Sequence, residues 1–397
     1  MERAYKASGK CSMRKNEYIC KFNSQVMRKA LLSLFLSFSA LCCAVMPVAG
    51  QDKEFLYDIS FDWIFNNHEY AASKDAFVPS HTLAAARLTP SVGLGIFPED
   101  GSTHRLMAGI DLTRRFGSPF SISSLISEAT LFYEYARPFS GGCLFSMTAG
   151  IFPRSALMGE YTEAVISDDL RFLDNNIDGL LLQMQTGRGN YEICLDWNGL
   201  KSPTRRERFN VLTSGNVRIS RLFSAGWQGM FQHYAGMDGV KGIVVDEDFL
   251  NPYLRLSLGP VTGLKKLDIS AGPMLGYQRD RQAKDRRYPV GADLVTELRH
   301  WSLGIRNELY WGDPMAPFWA GSDITGSPYG DNLYFRSPFW QVSLDGSKGF
   351  YDKLEAWWMP NIGKMVRLRI GASLHFNSGF SGWQQYAAII FDLSKLK

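Results

Sequence analysis

The chain has 397 residues, 45% hydrophobic and 21% charged, with 37 Gly and a formal net charge of +4. Its 43 basic and 39 acidic side chains are dispersed, which excludes a polybasic nucleic-acid-binding arm. No run of about 20 apolar residues follows residue 50, so any membrane crossing is made by strands rather than helices.

At the N-terminus, Met27-Arg28-Lys29 opens a positive region, Ala30 to Met46 is apolar, and Pro47-Val48-Ala49-Gly50 supplies small residues. That layout predicts a secretory signal over 27–50, preceded by a dispensable extension over 1–26 and followed by one domain over 51–397. Leu41 before Cys42 argues against lipid anchoring through that thiol. Of six Cys, only Cys143 and Cys194 remain after the signal, expected as two free thiols with a single bridge as the alternative.

The first mature strand sets Phe55, Tyr57, Ile59, Phe61, Trp63 and Phe65 against Asp58, Ser60 and Asp62. The alternation returns at 106–113, 129–135, 191–198, 267–278 and 301–311, and most cleanly where Val366, Leu368, Ile370, Ala372, Leu374 and Phe376 alternate with Arg367, Arg369, Gly371, Ser373, His375 and Asn377. Weaker windows lie at 83–96, 144–152, 180–186, 209–220, 223–235, 249–258, 292–300, 339–345, 353–359 and 383–393. Successive strand side chains face opposite sides, and within these windows the charges keep to the parity opposite the oily set. A charge facing mid-bilayer costs about 2–4 kcal/mol for Arg or Lys, so lipid outside and water within explain the sorting better than a soluble sandwich does. The expected fold is all-β: a transmembrane antiparallel up-and-down β-barrel of about 16 strands, with 18 and 14 as alternatives. Seventeen windows cannot close with both termini on one side, and the miscount is expected between 330 and 365.

Short connections (97–103, 137–142, 187–190, 259–266) interleave with long ones (66–81, 115–127, 153–178, 236–248, 312–337). Long loops are external in such barrels, so the first strand runs outward from the periplasm. The lumen is expected to collect Asp58, Asp62, Arg87, Asp111 and Glu134 from early strands and Glu192, Asp196, Arg218 and Arg255 from the middle. Glu297, Arg299, Arg306, Glu308, Arg367 and Arg369 come from the late ones. These charges either pair across the wall or set up a field that filters solutes. The long segment 153–178 could fold into the bore as a constriction loop, with Glu160, Glu163, Asp168, Asp169 and Asp174 opposite wall arginines such as Arg367 and Arg369; an external loop is the alternative. Two basic stretches, Arg205-Arg206-Glu207-Arg208 and Arg279 to Arg287, fall in external loops, solvated or holding lipopolysaccharide phosphates. The six histidines are scattered, with no nucleophile, zinc or paired-carboxylate motif, so the chain is expected not to be an enzyme and to need no metal or cofactor.

The segments GIFPRSALMGEY (150–161), DDLRFLDNNIDG (168–179), LDWNG (195–199) and SPTRRERF (202–209) resemble those of a poorly characterised barrel family of Bacteroidetes-type bacteria, within the porin-like barrels of Gram-negative outer membranes. The resemblance implies an outer-membrane location more strongly than a substrate. One departure is the tail Ser394 to Lys397 after Phe391, where many such barrels end on an aromatic residue. The leading functional expectation is diffusion of small polar solutes through a charged lumen; a closed barrel serving as surface adhesin, receptor or scaffold is the alternative. Expected partners are outer-membrane lipid, lipopolysaccharide, small polar solutes and the barrel-assembly machinery, with no nucleic acid.

Overall fold

The computed structural model describes residues 52–70, 80–119, 125–240, 242–343, 345–360, 362–378 and 381–394. The extension and signal expected over 1–50 lie outside the described residues. Strands β1 (Asp52–Tyr70), β2 (His81–Phe97), β3 (Thr103–Arg115), β4 (Ile126–Phe139), β5 (Cys143–Pro153), β6 (Asn176–Thr186), β7 (Gly189–Gly199) and β8 (Arg208–Arg218) form half of one antiparallel sheet. It continues through β9 (Phe223–Ala235), β10 (Val244–Ser257), β11 (Lys266–Asp280), β12 (Asp285–Arg287), β13 (Val290–His300), β14 (Leu303–Gly312), β15 (Gly349–Trp358), β16 (Val366–Asn377) and β17 (Ser381–Ser394). Each wall strand pairs with its chain neighbours, and β17 returns to β1 from Ser394↔Asp58 to Gly382↔Tyr70, which closes the barrel with no free edge among the described residues. The three-residue β12 pairs only with β11, while β13 pairs with β11 directly, so sixteen strands make the wall.

Alternation becomes two environments. On β16 the oily Ile370, Leu374 and Phe376 are exposed outward, while Ser373, His375 and Asn377 are buried in the bore. Short turns close one rim; between β4 and β5, Gly141 and Gly142 both adopt positive φ (81° and 74°), which a Cβ would oppose. The long connections gather at the opposite rim, the one expected to be external. The window 339–345 is not a strand. Pro338–Gln341 forms a 3₁₀ turn and Phe339, Trp340 and Val342 are buried on all sides; an alternating pattern also fits a short segment wrapped by other protein, and this is the surplus window.

Two external connections descend into the bore. Residues 154–175 carry α1 (Asp168–Leu173), whose N-terminus is capped by Ser167 accepting from Leu170 N–H at 3.2 Å. Residues 313–348 bring Met315, Leu333, Phe335, Phe339 and Trp340 into contact with the inner wall. Cys143 and Cys194 are both free. Beyond the strongest windows, near the external rim, Asp246, Asp248 and Arg279 take the outward parity, because their neighbours Glu247, Phe249 and Gln278 are buried inward.

Candidate active site

At the external end of the β1–β2 ladder, His68 stands directly opposite His81. Their rings stack at 4.3 Å with 13° between planes. Helix α1 then places one carboxylate over both: Asp169 Oδ2 lies 3.1 Å from His81 Nε2 and Oδ1 lies 3.5 Å from His68 Nε2. Burial works against ionisation of Asp169, but the His68 and His81 rings facing its two oxygens prevail and hold its carboxyl well below the usual carboxylate range. His68 is buried and shares a short hydrogen bond with Tyr70 Oη through Nδ1, whereas the His81 side chain is 43% exposed and reachable from outside. Behind them, Tyr70 packs edge-on against Phe339, which stacks on His375; His375 in turn bonds Tyr351 Oη at 3.0 Å and Gln384 at 3.2 Å. The ligand-type atoms of His68, His81 and Asp169 lie within 4.8 Å of one another, the set a divalent ion could use. With the rings nearly parallel, their nitrogens address separate oxygens of one carboxylate rather than a common point. His81 and Asp169 form a hydrogen-bonded base and orienter.

Three of the other acids of 154–175 meet partners on the wall, and Asp174 pairs within the segment. Glu160 pairs with Arg255, Glu163 and Asp168 with Lys353, and Asp174 with Arg154. These partners are not Arg367 and Arg369, which pair instead with Asp392 and Glu355 on the wall. Burial pushes the Glu163 carboxyl up to about 7 against the pull of Lys353.

Of the expected lumen charges, Arg87 pairs with Asp111 at 3.2 Å beside Asp62, its register partner. Glu134 takes Arg105 at 2.9 Å, Asp196 takes Arg154 at 2.8 Å, and Glu192 accepts the Met158 and Gly159 N–H groups at 2.9 Å. Glu297 bonds Lys266 and Arg299, and Arg306 bonds Glu308 at 3.1 Å. Arg218 reaches Gly187 O at 3.0 Å at the rim of short turns, and Asp58 sits on the inward parity of β1 beside Ser91. Beside the descended segment 154–175, Glu297, Arg299, Arg306 and Glu308 line a cavity of about 490 Å³, and Arg255, Glu297, Arg299 and Arg306 line one of about 230 Å³.

A model of the lipid A 3'-O-deacylase-type family matches residues 53–377. The chain belongs to this family. That overturns the expectation that it is not an enzyme, because the family is named for a deacylase; two of the six histidines that seemed scattered in sequence, His68 and His81, are brought together by strand register. The fold is the closed antiparallel β-barrel that the resemblance implied. Similar solved structures include the outer membrane protein OprD from Pseudomonas aeruginosa (11% identity, 88% of this chain and 96% of that chain, TM-score 0.45). OpdO from the same organism (11%, 86% and 98%, TM-score 0.47) and an anion-selective porin from Comamonas acidovorans (11%, 87% and 100%, TM-score 0.47) are others. No curated protein matches the chain in sequence.

Sequence reasoning named Asp169 but missed His68, His81 and Tyr70 as its companions. The available signal was position. Both histidines stand next to the first long connection, and pairing β1 with β2 across it puts them face to face.

Proposed function

We propose that this protein hydrolyses an ester-linked acyl chain of lipid A at the external mouth of its barrel. The observation that carries the reading is the His68–Asp169–His81 cluster, set between the wall and α1 in a chain of the lipid A 3'-O-deacylase-type family. Asp169 orients the exposed His81, which removes a proton from water as the water oxygen attacks the ester carbonyl; the sugar oxygen leaves and takes up that proton, giving a free fatty acid and a hydroxyl. His68, locked by Tyr70, lies 3.5 Å from the second carboxylate oxygen and favours the ionised form of Asp169. Lipopolysaccharide in the outer leaflet is then the substrate, and export through 27–50 with insertion by the assembly machinery delivers the barrel to it. Purified protein mixed with lipid A in detergent micelles, followed by mass spectrometry, tests this. Loss of one acyl unit supports it, and an unchanged mass sinks it.

A second reading, diffusion of small polar solutes, is favoured by the charged cavities around Arg299 and Arg306. Sugar-driven swelling of liposomes carrying the protein would support it, and tight liposomes would remove it.

A further inference from the structure

The two basic stretches of the external rim have different fates. Arg206 is bound to Asp323 and Arg208 lies over Phe335 while bonding Asn332 O at 2.8 Å, so both are spent on the segment that enters the bore. The stretch around β12 is not spent in this way. Gln278 and Asp280 point inward, to Met315 O and to Tyr329 Oη, so Arg279 between them points outward. Its direct cross-strand partner is Arg286, which shares that face and is exposed. Two like charges opposite each other destabilise a ladder unless something neutralises them. The nearby acids are already committed. Asp246, in register with Arg279, binds Arg281 at 2.7 Å and His233 at 3.1 Å, and Asp285 binds Arg287 at 2.8 Å. Asp248, one step down the outward face of β10, is in register with Tyr277. Among the described residues no carboxylate lies within ion-pair distance of Arg279 or Arg286.

The height of the pair is set by what lies beneath it. Along the outward face of β11, exposed Leu275 is followed by Tyr277, whose ring meets Tyr288 at 5.4 Å, and then by Arg279. Hydrocarbon, aromatic girdle and cation in sequence mark the crossing from acyl chains to headgroups, with Arg279 about 7 Å above Tyr277. Guanidinium groups in a matched pair suit the bidentate geometry of phosphate oxygens.

We infer that Arg279 and Arg286 form a phosphate site on the lipid-facing outside of the barrel, occupied by a phosphate of a lipid A headgroup of the surrounding outer leaflet. The site is built from β11 and β12, apart from the hydrolytic cluster on β1 and β2, and does not depend on the hydrolytic reading. The test is binding of lipid A already lacking its 3′ acyl chain to the intact protein in neutral detergent, compared with the same lipid after removal of its phosphates. The phosphorylated lipid should bind roughly tenfold or more tightly, and the Arg279→Gln/Arg286→Gln double variant should erase that difference while Arg279→Lys/Arg286→Lys keeps part of it. Heat-modified gel migration confirms that each variant is folded; if the double variant is not, the exposed Arg286→Gln alone should show a smaller loss. Equal binding of the two lipids, or a folded glutamine variant that binds as wild type does, overturns the site. So does competition by millimolar inorganic phosphate without retention of the lipid, which would mark a free-anion site instead.

Discussion

The segments 154–175 and 313–348 both descend from the external rim into the bore, but different forces hold them. The first is tied by directional polar contacts: Arg154 to Asp196, the Met158 and Gly159 amides to Glu192, Thr162 N–H to Gln228 at 2.8 Å, and Glu163 to Lys353. The second is held mainly by aromatic burial, with Trp340 against Tyr310 and Tyr351 and Phe339 stacked on Tyr351 and His375, plus one fully buried ion pair between Arg336 and Glu247. Apolar packing fills space without fixing orientation, whereas ion pairs and amide–carboxylate bonds fix where a backbone sits. The segment that must aim a carboxylate is the polar one.

The sharpest way to break this contrast is at the aimed group. Asp169→Asn should leave the barrel folded and lower deacylation by roughly 10²–10⁴-fold, since orientation of the base is lost while packing is kept; His81→Ala should match it, and equal rates in a folded variant would detach the cluster from the chemistry. On the aromatic side, Glu247→Gln leaves Arg336 buried and unpaired at 0% exposure and should cost about 3–5 kcal/mol in urea unfolding from micelles. Trp340→Ala, cutting the largest fully buried side chain, should cost about 3–5 kcal/mol and also raise single-channel conductance, because it thins the packed layer rather than the polar anchor. Glu160→Gln, whose carboxylate is 53% exposed beside Arg255, should cost about 1 kcal/mol or less.

Acid offers a finer probe. The Asp169 carboxyl is lowered in the folded protein, so the stability it lends α1 is present above the ordinary carboxylate value near 4 and is lost as pH falls below it toward the folded value. Hydrogen exchange of the α1 amides should stay slow from neutral pH down to about 4 and quicken below, with that acid transition absent in Asp169→Asn.

The wall was legible in the sequence because lipid and water sort side chains by parity, and a strand such as Val366–Asn377 carries that rule in its own residues. The packed segment was not, since Trp340 and Val342 alternate locally with Gln341 and Ser343, yet Phe339 and Trp340 are wrapped by Tyr351, His375 and Tyr310 from the wall strands. The same holds at the site. Asp169 is 88 residues from His81 and joins it only because 154–175 turns inward, a fold-level event that no local motif encodes. His68 and His81 are closer in sequence, and a hairpin register would have joined them; the third member came from elsewhere.

Mass spectrometry of lipid A after incubation with wild-type protein and with Asp169→Asn tests the central claim most directly. Loss of one acyl unit with wild type and an intact lipid with the variant is the predicted result. Identical spectra from the two folded proteins, whether both cleave or neither does, would contradict it.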